Sequence, residues 1–206
     1  MKLAVEHILW GAPDLDAGSR VFEELTGIAP IPVGSHAGVG TRNRLVPLGA
    51  GIYFEIIAPD PQQAGTGPRR KLIEGLSEPR IIAFAVTAMD LIAVQNAAVA
   101  AGLAYDGPTS MSRIRPDGVR LEWATLYLRH PLYDGALPFA IDWRGSPHPS
   151  SAPNAGSLRS FTVQHPDSEP LTRLYERLGI AAAVEPGPSP GFVAVLGTPK
   201  GDITLR

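Results

Sequence analysis

Val5-Glu6-His7-Ile8-Leu9-Trp10-Gly11-Ala12-Pro13-Asp14 reads as an apolar strand holding one histidine, broken by Gly11 and Pro13 and handed on to a helix. The helix starts at Asp14-Leu15-Asp16, where a carboxylate can accept from the unpaired amides of the first turn. The helix is expected to bury Val21, Phe22 and Leu25 and to stop at Gly27, a residue able to take the left-handed C-cap conformation. The order strand, aspartate, helix, glycine returns from Ile81 to Gly102 around Asp90, and from Leu158 to Gly179 around Asp167. The copies lie 76 and 77 residues apart, so one unit is written three times. Chemical function is expected where the copies differ.

Each copy is completed by short strands. In the first these are Pro30 to Val33, Thr41 to Leu48 and Ile52 to Ala58, with a glycine-rich loop at Gly34–Gly40 and a turn at Gly49-Ala50-Gly51. The second follows a short helix near Lys71 to Leu76. It has the strand Ile81 to Val86, a helix from Asp90, a hairpin of Thr109 to Arg115 and Val119 to Leu128 about Pro116-Asp117-Gly118, and a strand Leu137 to Trp143. The third is compressed: a strand Leu158 to Val163, a helix from Ser168, and strands near Ala182 to Val184, Phe192 to Leu196 and Ile203 to Arg206. The pattern predicts an α+β chain of β-α-β-β-β units. Units 3–58 and 80–143 form one domain within residues 1–145, and a shortened unit at 157–206 is appended. Segments 59–70 and 144–156 serve as linkers.

Composition narrows the partners. A net charge of −2 with 18% charged residues offers no field suited to nucleic acid or an anionic membrane, and Arg69-Arg70-Lys71 reads as a solvated helix start. The 22 Gly and 21 Pro interrupt every apolar run well short of the roughly 20 residues of a membrane span. Glu6 and His7 stand where a signal peptide needs an unbroken apolar core, so a cytoplasmic location is expected. Without cysteine there is no disulfide, thiolate nucleophile or cysteine-ligated zinc.

His7 to Asp16, Gly40-Thr41-Arg42-Asn43, Tyr53-Phe54-Glu55-Ile56-Ile57-Ala58, Arg113 to Gly118 and Leu137 to Trp143 together resemble the glyoxalase-like domain group of the vicinal oxygen chelate superfamily. The resemblance covers roughly residues 3 to 145. It implies two units curling their sheets into an open mixed β-barrel, with helices outside. It also implies a divalent metal, Zn, Ni, Mn or Fe, held by a His on the first strand and a Glu on the last strand of each unit. Imidazole and carboxylate suit such ions and can leave positions open for two substrate oxygens. In the first unit His7 and Glu55 match; Ala83 and Ser160 stand opposite His7 in the other copies, and Phe139 to Ile141 and Leu205 opposite Glu55.

Two functions stay open. His7 and Glu55 could be catalytic residues of a metal-dependent lyase, isomerase or dioxygenase, or an acid-base pair without metal. Alternatively the cavity binds a small organic molecule without turning it over. Glu55 lies between Phe54 and Ile56, where a carboxylate needs a partner. Thr41 with Asn43, or Arg42 with Arg44, would face the ligand, and Arg113 and Arg115 share a strand face suited to an anion. Trp10, Trp123 and Trp143 would supply apolar walls. Gly34–Gly40 lacks the Lys-Ser/Thr of a phosphate loop and reads as a cavity lip. An odd number of units leaves one sheet edge for a second copy, so a homodimer is expected.

Overall fold

The computed structural model describes residues 1–36, 38–65, 67–114, 118–149 and 154–206. The first unit comprises β1 (Leu3–Gly11), α1 (Leu15–Thr26), β2 (Ile31–His36), β3 (Thr41–Gly49) and β4 (Ile52–Pro59). After α2 (Pro68–Glu74) the second comprises β5 (Arg80–Thr87), α3 (Leu91–Ala100), β6 (Ala104–Ile114), β7 (Arg120–Arg129) and β8 (Phe139–Asp142). The third holds β9 (Ser157–His165), α4 (Ser168–Leu178), β10 (Ile180–Ala181), β11 (Ala183–Pro186), β12 (Gly191–Thr198) and β13 (Gly201–Leu205). This is an α+β fold of mixed, open sheets.

The repeated aspartates are helix caps, and two of the three cap in the same way. Asp14 accepts from the Ala17 amide at 2.8 Å, and Asp90 from Ile92 and Ala93 at 2.9 and 3.1 Å. Asp167 makes no such bond. Gly27 and Gly179 end α1 and α4 at φ of 74° and 73°, the left-handed region in which a side chain is strained.

Strands of the first two units join in the order β2-β3-β4-β1-β5-β8-β7-β6. The two units meet at an antiparallel β1–β5 seam, and each first strand pairs parallel with its own last strand. One face of this sheet is concave and the other carries the main core. There Trp10 packs on Phe22 of α1 at 5.7 Å, beside Phe54.

The third unit is not an appendage. Its four-stranded sheet, β11-β9-β12-β13, packs across the convex face, with Phe161, Phe192 and Tyr175 on Phe84 at 5.0, 5.9 and 6.5 Å. Each such buried aromatic contributes about 1.5–3 kcal/mol, enough to make the three units one core. β10 also adds in parallel to the start of β1. At that junction a Cβ on Gly179 would lie 2.0 Å from the Met1 carbonyl oxygen, so only glycine fits.

Two boundaries move. β2 runs through half of the expected lip to His36, because the stretch pairs with β3 from Ile31↔Leu45 to His36↔Thr41. α2 starts at Pro68, and the middle of the expected basic cluster is no solvated start: Arg70 Nη1 donates to the carbonyls of Gly40, Asp60 and Gln63. This clamps the linker to the lip of β3.

Candidate binding cavity

The concave face holds a partly open cavity with about 660 Å³ of space between its walls, some of it open to solvent. The first unit contributes His7, His36, Thr41, Asn43, Tyr53 and Glu55; the second contributes Met111, Arg113, Trp123, Thr125, Phe139 and Trp143. β3 presents Thr41 and Asn43 inward and turns Arg42 and Arg44 out to Asp14 and Asp16. Arg115 lies outside the described residues. Trp10 is corrected: it is buried on the opposite face, three residues from His7 on an alternating strand.

Sequence reasoning missed Glu6. Strict alternation would send it to the face opposite His7, but the β1–β5 register shifts between Val5↔Val86 and His7↔Ala85, leaving Glu6 as an extra residue. The bulge puts Glu6 and His7 on the same side of β1, 1% and 3% exposed. The Glu6 carboxylate meets His7 Nδ1 directly; its other oxygen accepts from Trp143 Nε1 at 2.9 Å and meets His148 Nε2. A carboxylate among apolar strands therefore has three partners, one from the end of the second unit and one from the segment that follows it. Only the cost of burying a bare Glu6 could have signalled this in the sequence.

On its other side His7 Nε2 lies 3.3 Å from Glu55 Oε2, and the ring stacks on Tyr53 at 4.6 Å. Asn43 Nδ2 donates to Glu55 Oε1 at 2.7 Å, and His36 Nδ1 lies 2.9 Å from Thr41 Oγ1. Two buried polar atoms on facing walls, Asn43 Oδ1 and Thr125 Oγ1, have no hydrogen-bond partner among the described residues.

Charge follows from these contacts. Burial works to raise Glu6, but the His7 charge and the hydrogen bonds from both histidines outweigh it and hold the carboxyl at about 2. Burial likewise works against the His7 cation, yet the Glu6 charge and the bond to Glu55 push it up to about 9. Glu55, raised by burial, is brought down to about 2 by the hydrogen bond and charge of His7, then by His36 and Asn43. His36 falls below its ordinary value through burial, with Arg113 and His7 adding to it against Glu55. At neutral pH the floor is thus a fixed carboxylate–imidazolium–carboxylate row.

The residues present do not fit the paired metal set that the family resemblance implies. Leu9 pairs with Glu55 as Ala85, 76 residues later, pairs with Phe139. The second unit therefore carries Ala83 and Phe139 where the first has His7 and Glu55. Both His7 nitrogens already face carboxylates, and among the described residues no group of three or more His, Cys, Asp or Glu could hold an ion.

A family model described as a glyoxalase-like domain matches residues 5–179. No curated protein matches the chain. Among solved structures, a hypothetical protein from Staphylococcus aureus is 18% identical with a TM-score of 0.71, over 93% of this chain and 88% of that one. A methylmalonyl-CoA epimerase from Streptomyces coelicolor, in complex with 2-nitronate-propionyl-CoA, is 14% identical with a TM-score of 0.50. It covers 70% of this chain and 97% of its own. These likenesses speak for the fold.

Proposed function

From the premise that this chain belongs to the glyoxalase-like domain family, we propose that its cavity binds a small organic molecule with an apolar body and a polar, hydrogen-bonding end. The observation that carries this is the pair of unpartnered buried atoms, Asn43 Oδ1 and Thr125 Oγ1, on facing walls of a cavity otherwise lined by Trp123, Trp143, Met111, Leu45 and Ile57. A folded core leaves few such atoms bare, and a ligand with an N–H or O–H between the walls satisfies both.

Binding is favoured over proton transfer by the charge state of the floor. A general base works best with a pKa near the operating pH. His7 at about 9 is already protonated at neutral pH, and Glu55 at about 2 holds its proton too weakly to take one from carbon or oxygen. In this reading the row orients a ligand's polar end. The chain is proposed to act as a homodimer, its third sheet meeting a second copy along the β13 edge, which gel filtration would read directly.

The test is ligand-observed NMR with small aromatic amides and alcohols against the wild type and the double variant Asn43→Val, Thr125→Val. Saturation transfer in the wild type, lost in the variant while its melting transition persists, is the expected result. Fragments that bind both proteins equally would overturn the assignment of the site.

A further inference from the structure

Two arginines approach the Tyr127 ring, and they differ in one respect. Arg129 has its Cζ 5.3 Å from the ring centroid and is paired with Asp106 at 2.7 Å and Asp134 at 3.5 Å. Arg69, on α2, has its Cζ 6.0 Å from Tyr127 and 5.7 Å from Phe139, and it lines the cavity. Among the described residues no carboxylate lies within salt-bridge range of it. Its position in the first turn of α2 also sets a cation against the positive end of the helix, so the helix does not account for it. Its neighbour Arg70 is fully explained by the three carbonyls it clamps.

Resting on the binding reading above, we infer that the ligand of this cavity is an organic anion whose carboxylate docks on Arg69. The guanidinium carbon sits within 6.0 Å of both ring centroids, and a guanidinium offers its N–H fork to a planar, two-oxygen acceptor. Phe139 stands between this cation and the floor, edge-on to His7 at 5.5 Å. Glu6 and Glu55 on the floor repel an anion, while the bare Asn43 Oδ1 and Thr125 Oγ1 ask for a donor. The ligand therefore enters one way round, with its anionic group at α2 and its donor end between β3 and β7.

The test uses a matched pair of probes, naphthalene-1-carboxylate and neutral naphthalene-1-carboxamide, titrated calorimetrically. Wild type is expected to bind the carboxylate about tenfold more tightly than the amide, the scale of one well-placed charge-assisted contact. Arg69→Met keeps the stem and should bring the two affinities together with that of the amide unchanged; Arg69→Lys should recover part of the preference. Arg129→Met, which removes an already neutralised cation, should leave the ratio as it is. Equal affinities in the wild type would overturn the anion assignment, and a preference that survives Arg69→Met would overturn the docking on Arg69; both leave the cavity reading standing. If neither probe binds, the cavity reading fails and this inference with it.

Discussion

In the first unit Leu9 pairs with Glu55, and His7 beside them is buried between two carboxylates; in the second, Ala85 pairs with Phe139 and Ala83 takes the place of His7. The backbones repeat and the chemistry does not. One wall carries the histidine–carboxylate row, the other is mainly aromatic with Arg113 and the Thr125 hydroxyl among its rings. A symmetric pair of half-sites would suit an ion at the seam, whereas this asymmetry suits a molecule with two unlike ends. The strands fix where side chains stand, and a single residue per strand decides what the cavity is for.

The contrast breaks most sharply at Glu6. Replacing it by Ala leaves a buried imidazolium with one counter-charge lost, and should destabilise the fold by about 3–5 kcal/mol, read from urea unfolding. Phe139→Leu at the corresponding seam of the second unit should cost less than about 1.5 kcal/mol. Equal costs would mean that the ionic row is no more demanding than ordinary packing.

Next in size is the pH dependence. His7, raised from 6.5 to about 9, contributes stability that is complete below pH 6.5 and lost as pH rises through 9. The shift corresponds to about 3 kcal/mol, shared with its two carboxylates. Glu6 and Glu55, lowered from 4.5 to about 2, contribute stability that is present above 4.5 and lost as pH falls towards 2. Stability should therefore plateau between pH 4.5 and 6.5, and Glu6→Gln should flatten the alkaline limb. A midpoint that stays level from pH 6 to 10 would contradict the charged row.

The smallest effects sharpen the comparison among all three units. Asp14→Ala and Asp90→Ala should each cost about 1 kcal/mol, because both side chains bond first-turn amides. Asp167→Ala should cost a few tenths at most, since its side chain makes no such bond. Thermal melts of the three variants under one condition decide it.

Much of this was legible in the chain. The strand, aspartate, helix, glycine order marked three units, and a carboxylate at Glu55 within an apolar strand announced a partner. The choice between Thr41 with Asn43 and Arg42 with Arg44 could be posed from alternation alone, though only Asp14 and Asp16 across the surface settle which pair turns out. Alternation also held the information that Trp10 and His7 face apart. Glu6 was hidden because a bulge suspends the rule by which faces are read. His148 and Trp143 reach Glu6 across 142 and 137 residues, a distance no local pattern spans. Arg69 was read with its neighbours as a basic cluster, whereas the fold gives it and Arg70 different tasks. The third unit's place on the convex face follows from apolar residues that suited burial against any partner.

The bulge at Glu6 has a consequence for the unfolded chain. Because the carboxylate and imidazole it brings together are sequence neighbours, their meeting closes no loop and costs none of the entropy that the His148 contact must overcome. Part of that attraction therefore persists when the sheet is gone, and the denatured state holds the His7 proton more firmly than an isolated histidine would. The alkaline loss of stability is correspondingly smaller than the folded environment alone would set, and the sensitivity of this protein to base is buffered by a contact that unfolding does not fully break.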